Sequence, residues 1–68
     1  MTVTVKKLDT DNGVKWFELS GTDNGTDREF NKDIYGLTLD DTILDYEGYP
    51  LTEGDRETWA VRNSIKKG

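Results

Sequence analysis

Apolar and polar positions alternate at the start of the chain. In "TVTVKKL" (2–8), Val3, Val5 and Lys7 fall on one side and Thr2, Thr4 and Lys6 on the other, with β-branched residues throughout, which is a strand pattern. In "VKWFELS" (14–20), Val14, Trp16 and Glu18 share one face and Lys15, Phe17 and Leu19 the other. Between them lies "DTDNG", whose Asn-Gly pair tolerates the positive φ angles of a tight turn, so 2–20 reads as a β-hairpin.

The four residues Thr-Asp-Asn-Gly at 10–13 recur at 22–25, and the second copy runs into "TDREF". Thr26 and Glu29 have capping-box spacing, Phe30 and Ile34 lie four apart, and Gly36 can close a helix in the left-handed conformation. The spacing predicts a short helix over 27–35. From Asp40, Leu39, Ile43 and Tyr46 align on one side and Gly48 follows, which predicts a further helical turn, with a strand as the alternative. "YPLTEGD" carries Pro50 and Gly54 and reads as a loop. "RETWAVRNSI" (56–65) sets Trp59 and Val61 on one face of a last strand, placed to pair with the opening hairpin.

The expected core is Val3, Val5, Trp16 or Phe17, Leu19, Phe30, Ile34, Leu37, Ile43, Trp59 and Val61. Sixty-eight residues make one domain, 1–68. The expected class is α+β: a small antiparallel β-sheet, formed by the opening hairpin plus a C-terminal strand, with one or two short helices on one side.

Composition narrows the chemistry. The chain has no cysteine and no histidine, which removes thiolate and imidazole metal ligands and the commonest general base. Neither acidic glycine-tipped loop fits a calcium EF-hand. Counted from Asp9, the sixth position is Val14 and the twelfth Ser20; counted from Asp23, they are Arg28 and Ile34. Both copies therefore read as turns. Ser20 and Ser64 have no histidine to activate them, no phosphate-cradling glycine motif is present, and a chain this short rarely encloses a catalytic pocket. The expectation is no enzyme and no cofactor. The N-terminal "MTVTVKKL" carries no signal-peptide core and the absence of cysteine fits a reducing cytosol; the expected location is the cytoplasm of an infected or host bacterium.

The net charge is −5, and it is concentrated: Glu18 to Glu57 holds twelve acids against Arg28, Lys32 and Arg56. Such a field repels nucleic acid and attracts basic proteins. On a 27–35 helix, Asp27, Glu29 and Asp33 turn away from Phe30 and Ile34, and Asp40, Asp41, Asp45 and Glu47 extend the negative surface. Carboxylates at helical spacing repeat every ~5–6 Å, close to the scale of phosphates along a DNA strand. These seven residues are the candidate partner-binding set, and the partner expected is a basic nucleic-acid-binding protein or complex. The chain itself is expected to be a monomer or weak dimer.

Phe17-Glu18 in the second strand, the acidic stretch before Tyr35-Gly36, and the run from Gly54 through Trp59 to Val61 resemble the small anti-CRISPR inhibitors of phages and mobile elements. The nearest type is the I-F inhibitor that blocks the PAM-reading subunit of the surveillance complex. The resemblance implies a DNA-mimic inhibitor of a bacterial defence complex, with Asp27, Glu29 and Asp33 facing its basic DNA channel. Arg28 and Lys32 interrupt a stretch that is more uniformly acidic in that family. A second stretch, "DYEGYPLTEGD…VRNSIKKG", is similar to the turns of small SH3-like barrels; it implies a strand-rich 37–65 and a structural or adaptor module.

Overall fold

The computed structural model describes residues 3–67; Thr2, where the predicted hairpin opens, lies outside them. Four strands, β1 (Val3–Asp11), β2 (Val14–Asp23), β3 (Arg28–Leu37) and β4 (Ile43–Leu44), form an antiparallel sheet in sequential order, and one helix, α1 (Arg56–Lys67), follows. The class is α+β, with all the described helix at the C-terminal end.

The opening hairpin is as expected. Asp11 pairs with Val14 across a two-residue turn in which Asn12 (φ 52°) and Gly13 (φ 81°) are both left-handed, the conformation Asn-Gly accepts at least cost. The second copy of the motif also turns a hairpin and does not open a helix. Asp23 pairs with Arg28, and the Asp23 carboxylate accepts the Thr26 amide (3.1 Å) and hydroxyl (2.7 Å). Thr26 therefore serves the loop and not a capping box.

The predicted 27–35 helix is strand β3. A bulge explains why its pattern misleads. Leu19 pairs with Asp33 and Ser20 with Asn31, so Lys32 is the extra residue, at φ 56°. The extra residue shifts the alternation by one. Tyr35 lies opposite Phe17 and Phe30 opposite Gly21, so Phe30 and Tyr35, five apart, reach the same face. Their rings meet edge to face with centroids 5.9 Å apart. Ile34 pairs with Glu18 on the opposite face and is only half-buried. Gly36 is buried within β3, beside Leu44, and caps nothing.

The predicted helical turn after Asp40 is a pair of tight turns around the short β4. Thr38 and Thr42 close the first: the Thr38 amide donates to the Thr42 carbonyl at 3.0 Å, and the Thr42 amide to the Thr38 hydroxyl at 3.0 Å. Asp45 builds the second by accepting the Glu47 and Tyr49 amides, each at 2.9 Å. The loop over 49–55 stands as expected, apart from a single bridge between Leu44 and Pro50.

The predicted last strand over 56–65 is helix α1. Thr58, Val61 and Ile65 recur at helical spacing, and with Ala60 and Ser64 they make a continuous buried stripe. In a helix Trp59 and Val61 lie about 200° apart, so burying Val61 leaves Trp59 58% exposed. The strand-rich 37–65 of an SH3-like barrel is likewise absent: α1 occupies its last third.

The core lies between α1 and one face of the sheet: Phe17, Leu19, Phe30, Tyr35, Ile43, Ala60, Val61 and Ile65, with Val3, Val5, Leu37 and Leu51 against it. Leu19, Ile43 and Val61 are fully buried, and each stabilises the fold by about 1.5–3 kcal/mol. Trp16 and Ile34 stand on the open face instead. Both long outer strands are bulged and carry lysine: β1 sets Leu8 and Asp9 against the single Trp16, next to Lys6 and Lys7, and β3 has Lys32. Bulges and charge discourage indiscriminate edge-to-edge pairing.

Candidate functional site

The seven acidic residues of the predicted set do not share a helical face. Asp27 (φ 58°) ends the β2–β3 loop, and Glu29 lies opposite Thr22 near the start of β3. Asp33 flanks the bulge, where its carboxylate accepts the Asn31 amide at 3.2 Å and lies 4.0 Å from Arg28. Asp40 and Asp41 lie beyond the other end of β3. A ten-residue strand is about 33 Å long, so these two are far from Asp27. Asp45 and Glu47 occupy the turn after β4.

Several of these acids are engaged within the chain. Asp41 is held by Arg62 at 2.7 Å and Lys66 at 3.4 Å, and Arg62 also reaches Glu53 at 2.8 Å. This cluster ties α1 to the β3–β4 turn. Asp40 accepts hydrogen bonds from the Thr38 and Thr42 hydroxyls, which hold its carboxyl below the usual range. Only four of the fourteen carboxylates, Asp33, Asp41, Glu53 and Glu57, sit in ion pairs, which leaves ten without one among the described residues.

A constellation that the pattern did not reveal lies where the first turn of α1 meets β3. The Tyr35 hydroxyl donates to the Glu57 carboxylate at 2.5 Å, and the Arg28 guanidinium reaches the same carboxylate at 3.3 Å and the Tyr35 oxygen at 3.4 Å. Arg28 also lies 5.0 Å from the centre of the Phe30 ring. Burial, and then the Glu57 carboxylate, push the Tyr35 phenol well above its ordinary value. Burial alone would lower the Arg28 guanidinium, but its hydrogen bonds to Tyr35 and Glu57 outweigh that and raise it. Both groups therefore keep their protons at neutral pH. Neither is poised for acid–base work.

Beside this constellation runs an open groove of about 460 Å3. Lys32, Asp33, Ile34 and Tyr35 form one side; Asp45, Tyr46 and Leu51 contribute the other. Tyr46 is 72% exposed, and Leu39, Tyr49 and Trp59 are also exposed large apolar side chains. Among the described residues no group of three or more acidic side chains is arranged to hold a metal ion. No helix among them is long and apolar enough to cross a membrane.

A sequence signal for the constellation did exist. Tyr35 and Phe30 are both aromatic, and Arg28 and Glu57 carry opposite charges, but their juxtaposition depends on the Lys32 bulge and on α1 being helical. Compared with known proteins, the chain matches no protein-family model, no curated protein and no solved structure.

Proposed function

We propose that this chain is a non-enzymatic protein-binding inhibitor. It sets its carboxylates against the basic nucleic-acid-binding surface of a bacterial defence complex, as the small anti-CRISPR proteins do, and works in the cytoplasm of the infected cell. The observation that supports this reading most is the surplus of carboxylates. Ten have no ion-pair partner among the described residues, against five bases without one, Lys6, Lys7, Lys15, Lys32 and Arg56; Arg28, Arg62 and Lys66 are committed to acids of the chain. An outside partner rich in lysine and arginine would complete those pairs and be steered to them. These carboxylates are spread over β1, β2, the β2–β3 loop, the start of β3, the turns around β4 and the residue before α1, so the surface offered is broad.

The test is capture from bacterial lysate with the tagged protein at low and high salt, followed by displacement with duplex DNA. Recovery of a basic nucleic-acid-binding complex that salt and DNA both release supports mimicry. A partner that resists salt, or one that binds DNA and this protein together, rules it out.

A further inference from the structure

We propose that the uncovered edge of β3 takes up an extended, basic segment of another protein as an added strand, in line with β4. β4 pairs only with Gly36 and Leu37. Among the described residues nothing pairs with Arg28 to Tyr35 on that side, because β3 is the last long strand of the sheet. The bulge at Lys32 divides that stretch and leaves Asp33 to Tyr35, about 10 Å, as the straight run next to β4.

The groove lies along this edge. It is lined by four consecutive residues of β3, Lys32 to Tyr35. Consecutive strand residues point to opposite faces, so the feature these four share is the backbone edge itself. A segment in the groove would meet the outward-facing Ile34 amide and carbonyl, while the Asn31 amide and the Glu29 carbonyl are held by the Asp33 and Arg28 side chains, and side-chain contacts would choose the segment. The turn after β4 forms the far wall with Asp45 and the exposed Tyr46.

Charge selects the occupant. Asp33, Asp45 and Glu57 line the groove, and Asp27, Glu29 and Glu47 adjoin its lining residues in sequence. Against them stand Arg28, which is paired with Glu57, Lys32, and Arg56 beside Glu57 in sequence, so six acids face three bases. A basic strand is favoured. A second copy is disfavoured, because it would bring together two chains of net charge −5 along a bulged edge. The Lys32 bulge bends the edge, so pairing is confined to the straight run Asp33 to Tyr35 and its register is fixed. Both the open edge and the sign of its occupant rest on the residues of the groove and stand apart from the inhibitor reading above.

The experiment uses the whole chain labelled with 15N. The probe is a capped octapeptide alternating Val and Lys, with a Val/Glu octapeptide as the control. The Ile34 amide, which alternation from Thr38 turns to the β4 side, is expected to shift and its hydrogen exchange to slow on adding the Val/Lys peptide, with smaller shifts at Asp33 and Tyr35, whose amides face β2. The Val/Glu peptide is expected to bind at least about tenfold more weakly, a gap that narrows with salt. Asp33→Asn keeps an acceptor for the Asn31 amide but removes the charge, and should weaken the Val/Lys probe several-fold. No shift, shifts centred on Trp16 and the open face, or equal binding of both peptides would overturn the proposal. If a basic complex is captured and displaced by DNA while the Asp33–Tyr35 amides stay unperturbed, the edge inference falls and the inhibitor reading stands. If the Val/Lys probe seats on the edge and no such complex is captured, the edge inference holds and the inhibitor reading falls.

Discussion

Trp16 lies across Gly36. A Cβ built on Gly36 would stand 2.8 Å from Val14 Cγ1 and 3.0 Å from Trp16 Cζ3, on the face of the sheet opposite α1. The glycine is there for room and not for backbone freedom, since its φ is not positive. Gly36→Ala should cost about 1–3 kcal/mol as the indole and Val14 are pushed aside. Urea unfolding measures it. Adding Val14→Ala should recover part of the loss, and a neutral Gly36→Ala would contradict the close packing.

The Tyr35–Glu57 hydrogen bond joins β3 to the first turn of α1, so Tyr35→Phe should lower stability by about 1 kcal/mol at pH 7. The pH dependence follows from the raised phenol. A group whose folded value lies above its unfolded value contributes fully below the unfolded value, about 10 for tyrosine, and its contribution fades as pH rises through the folded value. The wild-type protein should therefore lose stability above about pH 10, and Tyr35→Phe should lose less. Unfolding curves from pH 7 to 11 decide it; identical slopes would place the titrating group elsewhere.

Lys32 carries the bulge at φ 56°, where a β-branched residue fits badly. Lys32→Ile should destabilise on the order of 1 kcal/mol, whereas Lys32→Gly should be neutral or stabilising by up to about 1 kcal/mol. Thermal unfolding of the two variants checks the order. Lys32→Gly below Lys32→Ile would mean that the bulge is not where the register places it.

Arg62 bridges Asp41 and Glu53 from a half-buried position. Arg62→Ala should cost about 1 kcal/mol at low ionic strength, and much less in 1 M salt, because the pairs face water. Unfolding at the two salt concentrations separates this from lost packing, which salt would not diminish.

Trp59 is largely exposed on α1, so Trp59→Ala should change stability by no more than about 0.5 kcal/mol. A larger loss by chemical unfolding would return Trp59 to the core, where the strand pattern first placed it.

The sequence by itself determined the opening hairpin. The alternation on β1 and β2 and the Asn-Gly turn are local, and each position states its own preference. It also determined the absence of cysteine and histidine chemistry and the surplus of negative charge. The tertiary structure decided the rest. Phe30 and Ile34 carry a helical spacing, but pairing with β2 makes 28–37 a strand, and one extra residue at Lys32 brings Tyr35 instead of Ile34 to the core. Val61 fits strand and helix alike until the sheet offers a face long enough for Thr58, Val61 and Ile65 to be buried together. The candidate acids followed the same course: their number was legible, and their directions were not. A bulge changes which face every later residue takes, and its position is fixed by the partner strand, so no local pattern can announce it.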